Sequence, residues 1–213
     1  MVITVLGASG RTGRHVVRLL ARQGHTVRAG VRNGRRREAV AGLGGTPVIA
    51  DLCVDPDELV DAFVGSDVVV NAAGAADPDP AAVALVDRDG AINGIRAAER
   101  AAVRRYIQLS AQFADAPDQG DRLVRSILYA KQISDTTLRR STLTWTIVRA
   151  ATLTDEPATG RVTAASHLDA GRVSRLDVAA VIAACLAEPR TENRGFDVHT
   201  GPLPVPAALA ALD

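Results

Sequence analysis

Near the amino terminus, the stretch VITVLGASGRTGRHVVRLL places glycine at 7, 10 and 13, between a strand-like apolar run and a helix-like one. That context gives each glycine a task. The first permits a tight turn, the second lets bare backbone approach a pyrophosphate, and the third lets the helix pack close to the strand. The start of the helix then offers unpaired N–H groups and the positive end of its dipole to phosphates. Ser9, Arg11 and Thr12 belong to the same loop, so the segment from Gly7 to Gly13 is the expected dinucleotide cradle.

The end of the second strand distinguishes the two nicotinamide dinucleotides. An NAD site calls for a carboxylate there to accept from the ribose 2′-hydroxyl, whereas this chain has VRNGRRRE, with Arg32 just past the strand and Arg35, Arg36 and Arg37 behind it. Arginine suits a 2′-phosphate, which it grips through charge-assisted hydrogen bonds. Arg32, with Arg11 and Arg36, predicts NADP(H); the competing reading is a solvated basic loop. Asp51 and Leu52, ending the third strand, suit an adenine, with the Asp51 carboxylate accepting from the exocyclic amine, or else Asp51 caps its own loop. Ala72, Ala73 and Gly74 end the fourth strand with the small residues that a backbone beside ribose and phosphate requires.

These loops need a framework. Strand patterns at 2–7, 25–31, 46–50, 67–73, 105–110 and 143–149 alternate with helix patterns at 12–23, 36–42, 56–64, 80–102 and 122–141. Asp55-Pro56 and Asp79-Pro80 mark helix starts. Continuous Val/Ile/Leu strands between helices predict an α/β fold with a doubly wound parallel sheet. After Arg149 the rhythm loosens, with a helix near 175–187 and a strand at 196–200, so residues from about 150 to 213 are expected to cap the carboxyl edge of the sheet. The 213 residues, 47% apolar, suit a single domain spanning 1–213.

Composition narrows the function. Net charge of +1 and 3% aromatic residues weigh against nucleic acid, and no apolar stretch reaches the roughly 18 residues of a membrane span. The first 24 residues lack a basic region followed by a long apolar run, so no signal peptide is expected. Cys53 and Cys185 form no C-x-x-C and no histidine spacing suggests a metal, so the expected setting is reducing and cytoplasmic. Of 25 basic residues only Lys131 is lysine, which marks a position where an ammonium is needed.

The motifs GASGRTG, DVVVNAAG, DGAINGIRAAERAAVRRYIQLSA, YAKQISDTTLRRSTLTWTIVR, LTDEPATGRV and SRLDVAAVIAACL follow one another along nearly the whole chain. In order and spacing they resemble the atypical short-chain dehydrogenase/reductases, in particular the small NAD(P)H-binding group of flavin reductase/biliverdin reductase B-like and NmrA-like proteins. The resemblance implies a Rossmann sheet, a hydrogen bond from Lys131 to the nicotinamide ribose, and a strand-end serine, Ser110, facing substrate or nicotinamide. It also implies backbone contacts to the carboxamide around Thr152, although the usual Arg-Pro-Gly is here Arg149-Ala150-Ala151.

One departure bears on chemistry. The better-known relatives use Tyr-x-x-x-Lys, which stacks phenol and ammonium on one helix face, but four residues before Lys131 stands Ile127. Tyr129, two residues away, points elsewhere at roughly 100° per residue. The expected activity is therefore NADPH-dependent transfer of hydride to a planar small molecule such as a flavin, quinone or conjugated carbonyl. The alternatives are a non-catalytic NADP(H)-binding sensor, or an isomerase or dehydratase using bound NADP. His167 lies in the cap, where it could meet a substrate, and monomer and homodimer both remain open.

Overall fold

β1 (Val2–Leu6) is buried beyond its first residue, and the chain turns at Gly7 into α1 (Gly13–Arg22). The computed structural model describes residues 1–213, the side chain of Leu123 excepted. The alternation continues through β2 (Thr26–Val31), α2 (Arg37–Ala41), β3 (Thr46–Ile49), α3 (Pro56–Phe63) and β4 (Val68–Asn71). A long helical stretch follows: α4 (Pro80–Val83), a π-helical segment (Ala84–Gly90) and α5 (Ala91–Arg100). Next come β5 (Arg105–Ala111), α6 (Arg125–Arg139) and β6 (Thr144–Ala150). Both expected caps form. Asp55 Oδ1 accepts from Asp57 N at 2.9 Å, and Asp79 Oδ2 accepts from Ala81 N and Ala82 N at 3.1 and 3.0 Å.

The chain continues through β7 (Thr152–Thr154), β8 (Arg161–Ala165), β9 (Arg172–Ser174), α7 (Arg175–Cys185), β10 (Arg194–Thr200), β11 (Leu203–Pro204) and α8 (Val205–Ala210). The central sheet runs β11-β8-β10-β6-β5-β4-β1-β2-β3. From β3 to β10 every pairing is parallel. This is the doubly wound Rossmann order, with its switch point between β1 and β4. The carboxyl ends of those two strands carry the glycine loop and Asn71–Gly74.

The last third of the chain differs from the expected cap. Only β7 and β9 form a separate two-stranded sheet, whereas β8 extends the central sheet antiparallel to β10 and β11 follows antiparallel to β8. Their sequences carry little strand signal, since RVTAA buries one residue and Leu203 and Pro204 are exposed. Pairing makes them strands, β8 against β10 and β11 against β8, not an apolar pattern of their own.

Strand residues two apart share a face, so the sheet fills two cores. Ile3, Val5, Val68 and Val70 pack with Val16, Val17 and Leu20 of α1 and with Val178 and Ile182 of α7. Leu6, Val69 and Tyr106 pack with Leu59 and Phe63 of α3 and Ile95 of α5. Among the described residues no helix is long and apolar enough to cross a membrane. Phe63 is fully buried, so Phe63→Ala is expected to lower stability by about 3–5 kcal/mol, read as a lower urea midpoint at unchanged slope.

Candidate functional site

The glycine loop is closed by sterics. Gly7 adopts φ +67°, and a Cβ there would lie 2.7 Å from the Ala73 backbone. A Cβ on Gly13 would stand 2.1 Å from the Gly7 carbonyl oxygen, and one on Gly10 would stand 3.0 Å from the same atom. Gly10 N donates to that oxygen at 2.8 Å. Thr12, the residue before α1, makes no side-chain cap, and no acid occupies the first turn. The helix start thus keeps its positive end free of neutralising groups. A bare, uncapped cradle of this kind fits a dinucleotide pyrophosphate, and Ser9 and Gly10 are exposed on it.

On the adenosine side, Arg32 and Arg36 are exposed, Arg36 ending the turn Gly34–Arg36 that Asn33 Oδ1 caps by accepting from Arg35 N at 3.1 Å. Asp51 Oδ1 accepts from Cys53 N at 3.0 Å, the loop-capping arrangement. Leu52 is a core residue whose carbonyl accepts from Asn93 Nδ2 at 3.1 Å. Burial pushes the Cys53 thiol up, Asp51 adds to that effect, and Arg32 opposes it, so the ends of β2 and β3 converge there. Arg11 is tied elsewhere. It pairs with Asp155, which Arg175 also holds at 3.0 Å.

On the opposite side of the switch point, Lys131 is buried on α6 and its Nζ lies 2.9 Å from Asp87 Oδ1. The same ammonium donates to Leu109 O at 3.3 Å and reaches Ala73 O at 3.5 Å, joining the ends of β4 and β5. Asp87 comes from the π segment, and its Oδ2 accepts from Ala75 N at 2.9 Å. A Cβ on Gly74 would lie 3.3 Å from Asp87 Oδ1. Ala72 and Ala73 complete the strand end, the Ala73 N–H donating to Asn71 Oδ1 at 3.1 Å.

Ser110 is buried at the end of β5 and donates to Asp135 Oδ2 at 2.6 Å, while Gln108 Nε2 donates to Asp135 Oδ1 at 2.7 Å. Complete burial pushes the Asp135 carboxyl above its ordinary value, against the opposing effect of Ser110, Gln108, Lys131 and Arg139. Thr152 is exposed on β7, and its N–H is already committed to Gly171 O at 3.1 Å, so that amide is not available to a carboxamide. Tyr129 lies off the site, donating to Asp118 Oδ1 at 2.9 Å.

The cap meets the site through a polar clamp. Arg149 reaches Asp197 at 2.7 Å, Asp115 at 2.8 Å and Ser166 O at 2.6 Å. Gln112 Nε2 donates to Leu168 O and Asp169 O at 2.8 and 2.9 Å. Between these anchors Phe113 adopts φ 67°, a left-handed conformation unusual for an aromatic residue. His167 is 77% exposed, with Nδ1 3.4 Å from Asp115. Among the described residues no group of His, Cys, Asp and Glu could hold a metal.

Sequence reasoning missed Asp87, Asp135 and Gln108. Asp135 carried a signal, standing one helical turn after Lys131. Asp87, inside VDRDG, reads as surface charge until the π segment turns it inward.

Two expectations follow. Gly13→Val should weaken NADPH binding at least tenfold, about 1.4 kcal/mol, in a fluorescence titration. Asp87→Ala, which leaves a buried ammonium without its carboxylate, should cost about 3–5 kcal/mol of stability in urea unfolding, and Asp87→Ala combined with Lys131→Met should recover much of the loss.

The family model described as NAD(P)H-binding matches residues 7–189. A protein of Bacillus subtilis named as an uncharacterized sugar epimerase, YhfK, is 36% identical over 214 residues, covering all of both chains. A solved structure from Bacillus halodurans, provisionally described as an NAD-dependent epimerase/dehydratase, superposes with TM-score 0.92 at 34% identity over 98% of each chain. The oxidoreductase YlbE from Lactococcus lactis gives TM-score 0.87 at 26% identity, covering 98% of this chain and 95% of that one. By sequence and architecture together, this chain belongs to the NAD(P)H-binding family and is of the atypical short-chain dehydrogenase/reductase type.

Proposed function

We propose that the protein is an NADPH-dependent reductase that delivers hydride to a planar small molecule: a flavin, a quinone or a conjugated carbonyl. One observation carries the reading: the dinucleotide cradle adjoins Ser110 and a buried Lys131, while the helix face that would hold a phenol holds Ile127 and Tyr129 is bound to Asp118. Bound NADPH supplies the hydride. The chain's own residues orient it: Gly7, Ser9, Gly10, Thr12 and Gly13 at the phosphates, Asp51 and Leu52 beside the adenine, and Ala72–Gly74 under the ribose. Alignment of donor and acceptor is then the main contribution of the site. Acceptors that spread the incoming charge over a conjugated system suit a site without the tyrosine.

Arg32 and Arg36 support NADPH over NADH, since both are exposed at the end of β2 and neither is paired to a carboxylate in the ion pairs of the described residues. Arg11 joins them only if it leaves Asp155. A second reading comes from the B. subtilis relative, named as a sugar epimerase. Epimerisation through oxidation of a sugar hydroxyl needs a base at that hydroxyl, and the missing phenol favours the reductase.

The test is NADPH oxidation against a panel of flavins, quinones and conjugated ketones. Saturable turnover that falls at least tenfold in Lys131→Ala is expected; tight NADPH binding with no turnover on any acceptor would sink the reading in favour of a sensor or a non-redox use of the cofactor. Arg32→Asp should weaken NADPH binding much more than NADH binding, and equal loss of both would remove Arg32 from the 2′-phosphate.

A further inference from the structure

We infer that Asp135 is the proton store of this site, passing its proton through the Ser110 hydroxyl to the reduced acceptor in place of the absent phenol. The inference rests on the reductase reading and adds a residue to it. Asp135 never reaches the site itself. It lies wholly inside the protein, behind Ser110, in contact with it at 2.6 Å.

The geometry constrains where protons can be. Ser110 has one hydroxyl hydrogen and two acceptor positions. When Asp135 is ionised, Oδ1 takes the Gln108 amide and Oδ2 takes the Ser110 proton, so Ser110 has nothing left to give an acceptor. When Asp135 is protonated on Oδ2 it donates to Ser110 Oγ, and the Ser110 O–H is freed toward the edge of the sheet. Burial favours the second state by penalising the charged carboxylate. The other groups facing this carboxylate are already occupied. Lys131, one turn earlier on α6, is paired with Asp87; Ser134 donates to Lys131 O; Arg149, across the register from Ser110 on β6, is held by Asp115 and Asp197. Arg139, one turn later on α6, opposes the burial effect without reversing it.

The transfer balances. The acceptor gains the hydride lost by NADPH, at ring nitrogen in a flavin, at an oxygen in a quinone and at the β carbon in a conjugated ketone; the Ser110 O–H bond breaks as its proton goes to the oxyanion or nitrogen anion that forms, and the Asp135 O–H bond breaks as Ser110 recovers a proton. Asp135 is left as carboxylate and is reprotonated from solvent. Because its pKa is raised in the folded chain, the loaded form prevails at lower pH, and both the transfer and the stability that accompanies protonation are lost as pH rises through that value.

Two measurements on the full chain decide the matter. In the first, aspartate labelled with carbon-13 at the carboxyl is titrated by NMR, the Asp135 resonance being identified by its loss in Asp135→Asn. It should titrate above the ordinary carboxylate range, because burial penalises the charged form, and higher still in Ser110→Ala, which removes a hydrogen bond to the carboxylate. In the second, NADPH oxidation with menadione is followed against pH. The wild-type rate should fall with rising pH at the Asp135 value, whereas Asp135→Asn should be slower by about 10²–10⁴ and lack that limb. If Asp135→Asn does not fold, Ser110→Ala supplies the severed relay. An ordinary Asp135 titration alongside wild-type turnover overturns the relay and leaves the reductase standing. A raised titration with no turnover on menadione or any other acceptor overturns the reductase reading, and the transfer step with it.

Discussion

A buried ammonium must have a carboxylate beside it, and much of the site is arranged around that requirement. Lys131 and Asp87, both nearly inaccessible, meet at 2.9 Å between α6 and the π segment. The pair also binds the sheet, because the ammonium reaches the carbonyls of Ala73 and Leu109 while the carboxylate takes the Ala75 amide. Four elements are thereby fixed by two side chains. A regular α-helix from Pro80 to Arg100 would not present the same positions on both sides of Ala84–Gly90, and a π segment of this kind is a recurring feature of functional sites. Two glycines accommodate the arrangement: a Cβ on Gly90 would lie 3.0 Å from Leu52 Cβ, and one on Gly74 would crowd Asp87 itself.

Around this fixed centre the charges are distributed unevenly. The phosphate side has an uncapped helix start and exposed arginines, with no acid in the first turn of α1. The cap side has its charges neutralised in place, with Arg149 between Asp115 and Asp197, and Asp155 between Arg11 and Arg175. One side is thus open to an anion while the other is held by internal pairs. Exposed pairs such as Arg11 with Asp155 contribute little stability, so opening that contact for a phosphate costs little.

The framework was readable from sequence because parallel strands buried on both faces leave continuous apolar runs, and Asp-Pro starts leave a local mark. Strand and helix positions through Arg149 agree with the structure to within a few residues. The glycine loop was readable for a similar reason, since its steric demands fall on neighbours in sequence: Gly13 is limited by Gly7. The polar interior was not readable. Asp87 meets Lys131 across 44 positions, and Asp135 meets Ser110 across 25, so neither pair leaves a periodic trace. The edge strands were hidden for another reason, because β8 owes its conformation to pairing with β10 and β11 to pairing with β8. Asp51 shows the limit from the opposite direction: its sequence position suited adenine and, nearly as well, a loop cap, and its Oδ1 makes the loop cap whether or not the carboxylate also meets an adenine.

The absent tyrosine and the buried Asp135 belong to one argument. A phenol one turn from the lysine, the Tyr-x-x-x-Lys arrangement, would be both close to an acceptor and acidic enough to give up its proton. Ile127 supplies neither property, and Lys131, bound to Asp87, is held as a fixed charge. Ser110 is close but weakly acidic, so alone it is a poor donor. A carboxyl group behind it, kept away from water and held by Gln108, supplies the acidity that the hydroxyl lacks, while the hydroxyl supplies the reach that the buried carboxyl lacks. Such a divided donor works best where the product anion is already stabilised by conjugation, because the proton then need not arrive together with the hydride. Under the reductase reading, the same division that would make the site tolerant of a missing phenol narrows the acceptors it would serve.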